Sequence, residues 1–262
     1  MAKIAVVTGG SSGLGLCLAE LLGDQEYKII ILARNQERID KAIDGLKAKN
    51  IQAVGISCDI TIENQVRDAA AKVKAEYGQV DFLVVNAGEV TTKLLVDYKS
   101  IPELKKDLEV DLWGSIQTSY FFTPLLVEGS KVLFISSGFG LIGGAGYSIY
   151  CAAKAGIVNF AESLRRELLC KKIGVYVACP GDMDTPQFHN EVKGQPEWMK
   201  QDSPRKVMPV EKAAKQILAK CKGTSRFMII TGSDVKLLAI VGKLLPRRWK
   251  DGLLDGMLPR PK

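Results

Sequence analysis

Short uninterrupted apolar runs alternate along the chain with longer stretches in which apolar residues recur every three or four positions. The short runs predict buried strands and the periodic stretches predict amphipathic helices. Lys3–Thr8 is the first predicted strand, and a Gly/Ser turn leads from it into a helix from about Ser12 to Leu22. Further strands are expected at Lys28–Leu32, Ile51–Ser57, Val80–Val85, Lys131–Ile135, Ile173–Ala178 and Arg226–Ile230. Between them the pattern predicts helices at Asn35–Lys49 (capped by Asn35), Ile62–Tyr77, Leu104–Leu126 and Tyr147–Cys170. Runs such as Phe82-Leu83-Val84-Val85 lack polar alternation, as strands covered on both faces do. Regular alternation of strand and helix predicts an α/β fold with a parallel sheet. No repeat or composition shift divides residues 1–262, so one doubly wound domain with a seven-stranded, mainly parallel sheet and helices on both faces is expected. From Gly181 to Pro209 the periodicity fails and four prolines fall within the stretch, just after Pro180, which predicts a lid over about residues 182–209.

Composition narrows the chemistry. The chain is 47% hydrophobic and 25% charged, as folded domains are, and needs no disulfide or metal to hold a core. His189 is the only histidine, which excludes a His-rich zinc site and a Ser-His-Asp triad. The six cysteines form no Cys-x-x-Cys pair, and Met1-Ala2-Lys3 runs directly into the first strand without a secretory segment. A cytoplasmic protein without metal is therefore expected. No apolar run reaches about 18 residues. The net charge of +7 leaves open an anionic partner: a nucleotide phosphate, nucleic acid or a lipid surface. Residues 234–262 supply much of that charge, with seven Lys/Arg against three Asp.

Chemistry enters at the first strand-helix junction. Thr8-Gly9-Gly10-Ser11-Ser12-Gly13-Leu14-Gly15 brings a glycine-rich backbone to a helix N-terminus, where unpaired N–H groups favour a phosphate. Leu16 stands where a Walker lysine would be needed, so the turn suits a dinucleotide. After the second strand, Leu32-Ala33-Arg34-Asn35 lacks the carboxylate that would bind ribose hydroxyls. Arg34 instead suits a 2′-phosphate, which favours NADPH. Tyr150 and Lys154 lie four apart on one face of a predicted helix, and an ammonium beside a phenol favours its ionised form. Such a pair supplies an acid/base without histidine. Tyr147 is followed four residues later by Cys151 and forms no such pair.

These motifs, with Asn86-Ala87-Gly88, Ser137 thirteen residues before Tyr150, and Pro180-Gly181 followed by Thr185, resemble the short-chain dehydrogenase/reductase family over about residues 3–230. The resemblance implies a Rossmann-type sheet, a nicotinamide cofactor and a homo-oligomer. It implies that Ser137 hydrogen-bonds the substrate carbonyl, that Tyr150 protonates it, and that Lys154 binds the nicotinamide ribose. Gly9, Ser11, Ser12, Gly13, Leu14 and Gly15 would cradle phosphate; Asp59 and Ile60 would meet the adenine. Asn86, Ala87 and Gly88 would line the cofactor cleft, and Pro180, Gly181 and Thr185 would hold the carboxamide and phosphate side. Where the family places an active-site asparagine, this chain has Asp111, whose backbone carbonyl would anchor a relay water.

Within the family the chain is most similar to 3-ketodihydrosphingosine reductases. That likeness rests on Cys17 and Ala19 after the turn, Ala33-Arg34-Asn35, Asp184-Thr185-Pro186 with Phe188, Glu191 and Pro196, and Ala214-Lys215-Gln216-Ile217. It implies NADPH-dependent reduction of a long-chain β-keto amine, with a steroid or small ketone as the alternative substrate. The tail at 234–262 mixes Leu237-Leu238-Ala239-Ile240-Val241 with Arg247-Arg248-Trp249-Lys250, which suits either a cover for the cleft or a peripheral membrane contact. Two other classes are open to such a chain: an inactive NADP-binding sensor or scaffold, and a nucleic-acid binder. Intact Ser137, Tyr150 and Lys154 oppose the first. The lack of a basic helix with interleaved aromatics opposes the second. Trp113 and Phe121 are expected in the core or a subunit interface, and His189 as an ordinary loop residue.

Overall fold

The computed structural model describes residues 2–200, 207–223, 227–233, 235–237, 239 and 246–257. Its centre is a parallel sheet of seven strands: β1 (Lys3–Thr8), β2 (Tyr27–Ala33), β3 (Ala53–Ser57), β4 (Val80–Val85), β5 (Leu126–Ile135), β6 (Gly174–Cys179) and β7 (Met228–Ile230). Their order across the sheet is β3-β2-β1-β4-β5-β6-β7, and every recorded strand pairing is parallel. This is the Rossmann-type arrangement.

Alternation within the strands explains the two-sided core. Ile4, Val6, Ile30 and Leu32 face one side; Ala5, Val7, Ile29 and Ile31 face the other. The second side is covered by α1 (Gly13–Gly23), α2 (Gln36–Ala48) and α8 (Val210–Leu218). The first side is covered by α3 (Glu63–Tyr77), α5 (Gly114–Phe122) and α6 (Ser148–Leu168). Asn35 caps α2 as expected, accepting a hydrogen bond from Arg38 N at 2.8 Å.

Three differences from the sequence pattern have physical causes. The helix expected over Leu104–Leu126 is broken: α4 (Ile101–Leu108) passes through a π-helical turn at Glu109–Trp113 into α5. Pro124 then ends the helix in a short 3-10 turn, and Leu126 already belongs to β5. Trp113, in that π turn and expected in the core or a subunit interface, is 54% exposed and so is not part of the core. The stretch without clear period contains α7 (Pro186–Gly194), whose N-cap Thr185 accepts from Phe188 N at 3.2 Å. Its proline-initiated start and polar face hid it from a periodicity reading. A last helix spans Arg247–Met257. Leu238, Ile240, Val241, Leu244 and Leu245 of the expected tail, and Arg226 of the seventh strand, lie outside the described residues.

Candidate active site

A cleft of about 500 Å³ opens beyond the carboxyl ends of the strands, at the point between β1 and β4 where strand order reverses. Open α/β sheets leave such a crevice because crossover helices diverge there to opposite faces. The turn after β1 forms one wall through Gly9, Ser11, Ser12, Gly13 and Leu14. Gly9 adopts φ +64°. Ser12 caps α1 without a side-chain hydrogen bond, so the first amides of that helix face the cleft with no side-chain acceptor from it. Gly15 does not line the cavity; an added Cβ there would strike the Gly9 carbonyl and the Asn86 amide. Its part is to let α1 close against the turn.

Asn86 braces the same turn from β4. Its Nδ2 donates to the carbonyls of Thr8 (3.0 Å) and Gly9 (3.3 Å), while the Thr8 hydroxyl accepts from Asn86 N and Ala87 N. Asn86, Ala87 and Gly88 all line the cleft, as do Asp59 and Ile60 beyond β3. Asp59 is held by Thr61, whose amide and hydroxyl donate to its Oδ1 at 2.9 and 2.8 Å. At the end of β2, Arg34 and Arg38 bring two guanidinium groups to the cavity. Arg34 is paired with Glu89, which also lies 3.7 Å from Lys106 Nζ.

Opposite the glycine turn sits Thr185, with its Cγ2 3.5 Å from where a Cβ on Gly13 would stand. Pro180 and Gly181 stand apart from this wall. The Pro180 carbonyl accepts from Gly138 N at 2.9 Å, tying the end of β6 to the Ser137 turn. Gly181 lines a separate cavity of about 140 Å³ with Lys212 and Thr231.

Lys154 lines the cleft, and Ser137, Tyr150 and Asp111 are grouped around it without being on the cleft wall. Ser137 caps a 3-10 turn at Gly138–Gly140 after β5, its hydroxyl accepting from Phe139 N at 3.2 Å and lying close enough to the Tyr150 phenol to act on it. Tyr150 and Lys154 project from one face of α6; Lys154 Nζ lies 5.4 Å from the Tyr150 ring centre. Lys154 is 4% exposed and pairs with fully buried Asp111, Nζ to Oδ1 3.5 Å. Asp111 Oδ1 also accepts from Glu89 N at 2.9 Å, and its carbonyl accepts from the Ser115 hydroxyl at 2.6 Å. Gly88 is what permits this pair, because a Cβ there would strike Asp111 Oδ1 and come within 3.0 Å of Lys154 Nζ.

The phenol itself differs from expectation. In the protein alone, burial and then the carboxylate of Asp111 push the Tyr150 phenol well above its ordinary range, with Glu191 adding to the rise. The hydrogen bond with Ser137 pulls the other way. The ammonium of Lys154 does not prevail because it already faces Asp111. Tyr150 is therefore a protonated acid, ready to give a proton.

The short chain dehydrogenase family profile matches residues 3–196, three quarters of the chain. The chain belongs to the short-chain dehydrogenase family. Among curated relatives it is similar to carbonyl reductase family member 4 of Xenopus laevis, 31% identical over 212 residues, 80% of this chain and 84% of that protein. It is also 31% identical over 215 residues to a 3-ketodihydrosphingosine reductase of Dictyostelium discoideum, covering 74% of this chain and 64% of that one. Of solved structures, a short-chain dehydrogenase/reductase from Burkholderia phymatum in complex with NAD superposes with TM-score 0.82 at 21% identity, over 100% and 98% of the two chains. One from Burkholderia cenocepacia in complex with NADP gives 0.76 at 25% identity, over 88% and 98%.

Sequence reasoning about this short-chain dehydrogenase passed over several residues. Glu89 and Arg38 reach the cleft, and Glu89 was findable as the carboxylate directly after Asn86-Ala87-Gly88. Tyr147, which has no lysine partner four residues on, is 3% exposed, and its hydroxyl meets Glu191 at 2.5 Å and Gln195 at 2.7 Å. No local signal joins residues 44 positions apart. His189 meets Asp184 on the exposed side of α7, at 2.8 Å. Among the described residues no group of three or more His, Cys, Asp or Glu could hold a metal ion. None of their helices is long and apolar enough to cross a membrane.

Proposed function

We propose that this short-chain dehydrogenase reduces a ketone to an alcohol with NADPH, on a long-chain lipid of the 3-ketodihydrosphingosine type. The observation that carries the reading is the grouping of Ser137 and protonated Tyr150 with Lys154, which lines a cleft that also holds Arg34 and Arg38. The cleft fits a dinucleotide. The side-chain-uncapped start of α1 and the bare backbone of the glycine turn suit a pyrophosphate, and the two guanidinium groups suit a 2′-phosphate. NADPH, when bound, supplies the hydride.

The chain's own residues do the rest. The Ser137 hydroxyl donates to the substrate carbonyl oxygen and fixes its position beside the phenol. Tyr150 gives its proton to that oxygen as negative charge develops there. Lys154, paired with Asp111, binds the nicotinamide ribose and stabilises the resulting phenolate. Asp111 holds Lys154 in place. Thr185 serves the carboxamide and phosphate side, and Asp59 and Ile60 the adenine.

The lipid assignment draws on the Dictyostelium relative and on an aromatic and apolar wall of Tyr147, Phe139, Trp198 and Met199 beside Tyr150. Residues 182–209 act as the lid of a single domain spanning 1–262, which works as a homo-oligomer in the cytoplasm. The basic, apolar tail at 234–262 covers the cleft or touches a membrane from which the lipid arrives.

NADPH oxidation measured with 3-ketodihydrosphingosine, steroids and small ketones tests the proposal. Sphinganine formation, lost on Tyr150→Phe by a factor on the order of 100 or more, is the expected outcome. Undiminished turnover in that variant refutes the acid role, and no sphinganine product refutes the lipid assignment.

A further inference from the structure

The carboxylate that NAD-binding folds place after the second strand is missing here, and Leu32-Ala33-Arg34-Asn35 takes its position. The fold supplies one from another strand. Glu89 follows Asn86-Ala87-Gly88 beyond β4, and its carboxylate is ion-paired with Arg34 beyond β2, 55 positions earlier. Both side chains line the cofactor cleft, as Arg38 does. Any substituent that reaches the Arg34 guanidinium therefore meets the Glu89 carboxylate as well.

Two further contacts define how this carboxylate can move. The backbone N of Glu89 donates to Asp111 Oδ1 at 2.9 Å, which anchors the main chain whatever the side chain does. Its second carboxylate oxygen lies 3.7 Å from Lys106 Nζ on α4, so leaving Arg34 does not strand the charge. The Arg34 side chain is 53% exposed and that of Glu89 29%, so water screens the pair and a competing anion can exchange with it. A ribose 2′-phosphate, with a charge of about −1.5 to −2 at pH 7, is the stronger anion of the two. A ribose 2′-hydroxyl has no charge to compete with, but it has a proton to donate. A carboxylate offers about four acceptor positions, and one guanidinium and one more distant ammonium leave room for a hydroxyl.

We propose that Glu89 gives the cleft a second cofactor setting: paired with Arg34 it accepts the 2′-hydroxyl of NADH, and the 2′-phosphate of NADPH displaces it towards Lys106. Glu89 is thus a specificity-determining residue that acts for NADH and against NADPH, and lets one cleft take both. This rests on the reading of the cleft as a dinucleotide site, and not on which ketone is reduced. Net charge alone leads to a different result. Both cofactors are polyanions, so the loss of a carboxylate acting only as a charge would tighten both.

Direct titration of the full-length protein with NADPH and with NADH, followed by dihydronicotinamide fluorescence, gives a Kd for each without any substrate. Wild type is expected to bind both, NADPH the tighter. Glu89→Ala is expected to tighten NADPH by about 2- to 5-fold, the weight of an exposed ion pair that no longer competes. The same variant should weaken NADH on the order of 10-fold, the weight of a hydrogen bond to a charged acceptor. Glu89→Gln keeps an amide oxygen, so it should tighten NADPH to a similar extent and weaken NADH less; it decides the matter if Glu89→Ala does not fold. In an Arg34→Ala background, Glu89→Ala should no longer tighten NADPH, while its effect on NADH persists. Opposite shifts of the two Kd values support the second setting. Parallel shifts, no shift, or a wild type that does not bind NADH overturn it. Binding of neither cofactor overturns the dinucleotide reading of the cleft and this assignment with it. Normal binding of both without turnover of any ketone overturns the reductase reading alone, and the Kd shifts still decide the role of Glu89.

Discussion

Replacing Asp111 by Asn removes one charge from a pair whose atoms lie 3.5 Å apart with side chains 0% and 5% exposed. At an effective dielectric near 20, that separation corresponds to an attraction of about 5 kcal/mol. Desolvation of both groups offsets much of it, but removing a single partner leaves the Lys154 ammonium buried opposite a neutral amide. The expected loss of stability is about 3–5 kcal/mol. For a domain of this size, each kcal/mol lowers Tm by about 2–4 °C, so the transition should fall by roughly 6–20 °C. Lys154→Met should cost a similar amount. The double variant buries no lone charge, and its loss should fall short of the sum of the two by about 1–3 kcal/mol. Thermal and urea unfolding of the four proteins measure this. Additivity to within about 0.5 kcal/mol would show that the pair does not hold the site together. A second readout separates positioning from bulk stability. Asp111 raises the Tyr150 phenol, and alcohol oxidation needs the phenolate. Removing the carboxylate should therefore move the rise of the oxidation rate with pH to lower pH. A pH profile that stays in place would refute that link.

Gly88→Ala drives a methyl into Asp111 and Lys154, and should cost about 1–3 kcal/mol in unfolding assays together with a loss of activity; full stability would mean the pair shifts freely. Arg34→Ala should raise the KM for NADPH on the order of 10-fold or more, with a smaller effect on NADH, since only the former offers a 2′-phosphate. Glu89→Gln should lower the KM for NADPH, because it removes the anion that competes for Arg34. Equal changes for the two cofactors in steady-state assays would count against both expectations. At alkaline pH the buried thiols matter. Burial pushes Cys179 and Cys221 up from 9.0 to about 12. A folded pKa raised in this way stabilises below the unfolded value, and that stability is lost as pH rises from about 9 through 12. Each thiol accounts for up to about 4 kcal/mol across that window. Cys179→Ala should flatten the fall of Tm with pH even though it leaves a small cavity; an unchanged slope between about pH 8 and 11 would exclude the effect.

Local signals accounted for most of the elements and for the outer part of the cleft. Strand β1, the glycine turn, the Asn35 cap and the Tyr150–Lys154 spacing each depend on residues within a few positions of one another, where periodicity and backbone geometry act directly. The broken helix at Glu109–Trp113 and the helix α7 escaped, because a π turn and a proline-started polar helix carry no distinctive period.

What the amino-acid sequence determined by itself was a parallel α/β sheet, a phosphate-binding turn and an acid/base built without histidine. Only the tertiary structure decided the charge of that acid/base. Asp111 arrives from a π turn 39 residues before Tyr150, and Glu191 from a helix 41 residues after it. Their fields act across space in a buried site, where dielectric screening is weak. That is why a tyrosine expected to be acidified beside a lysine is instead held as a protonated donor. The same packing joined Tyr147, which no local spacing distinguishes, to Glu191 at the cleft.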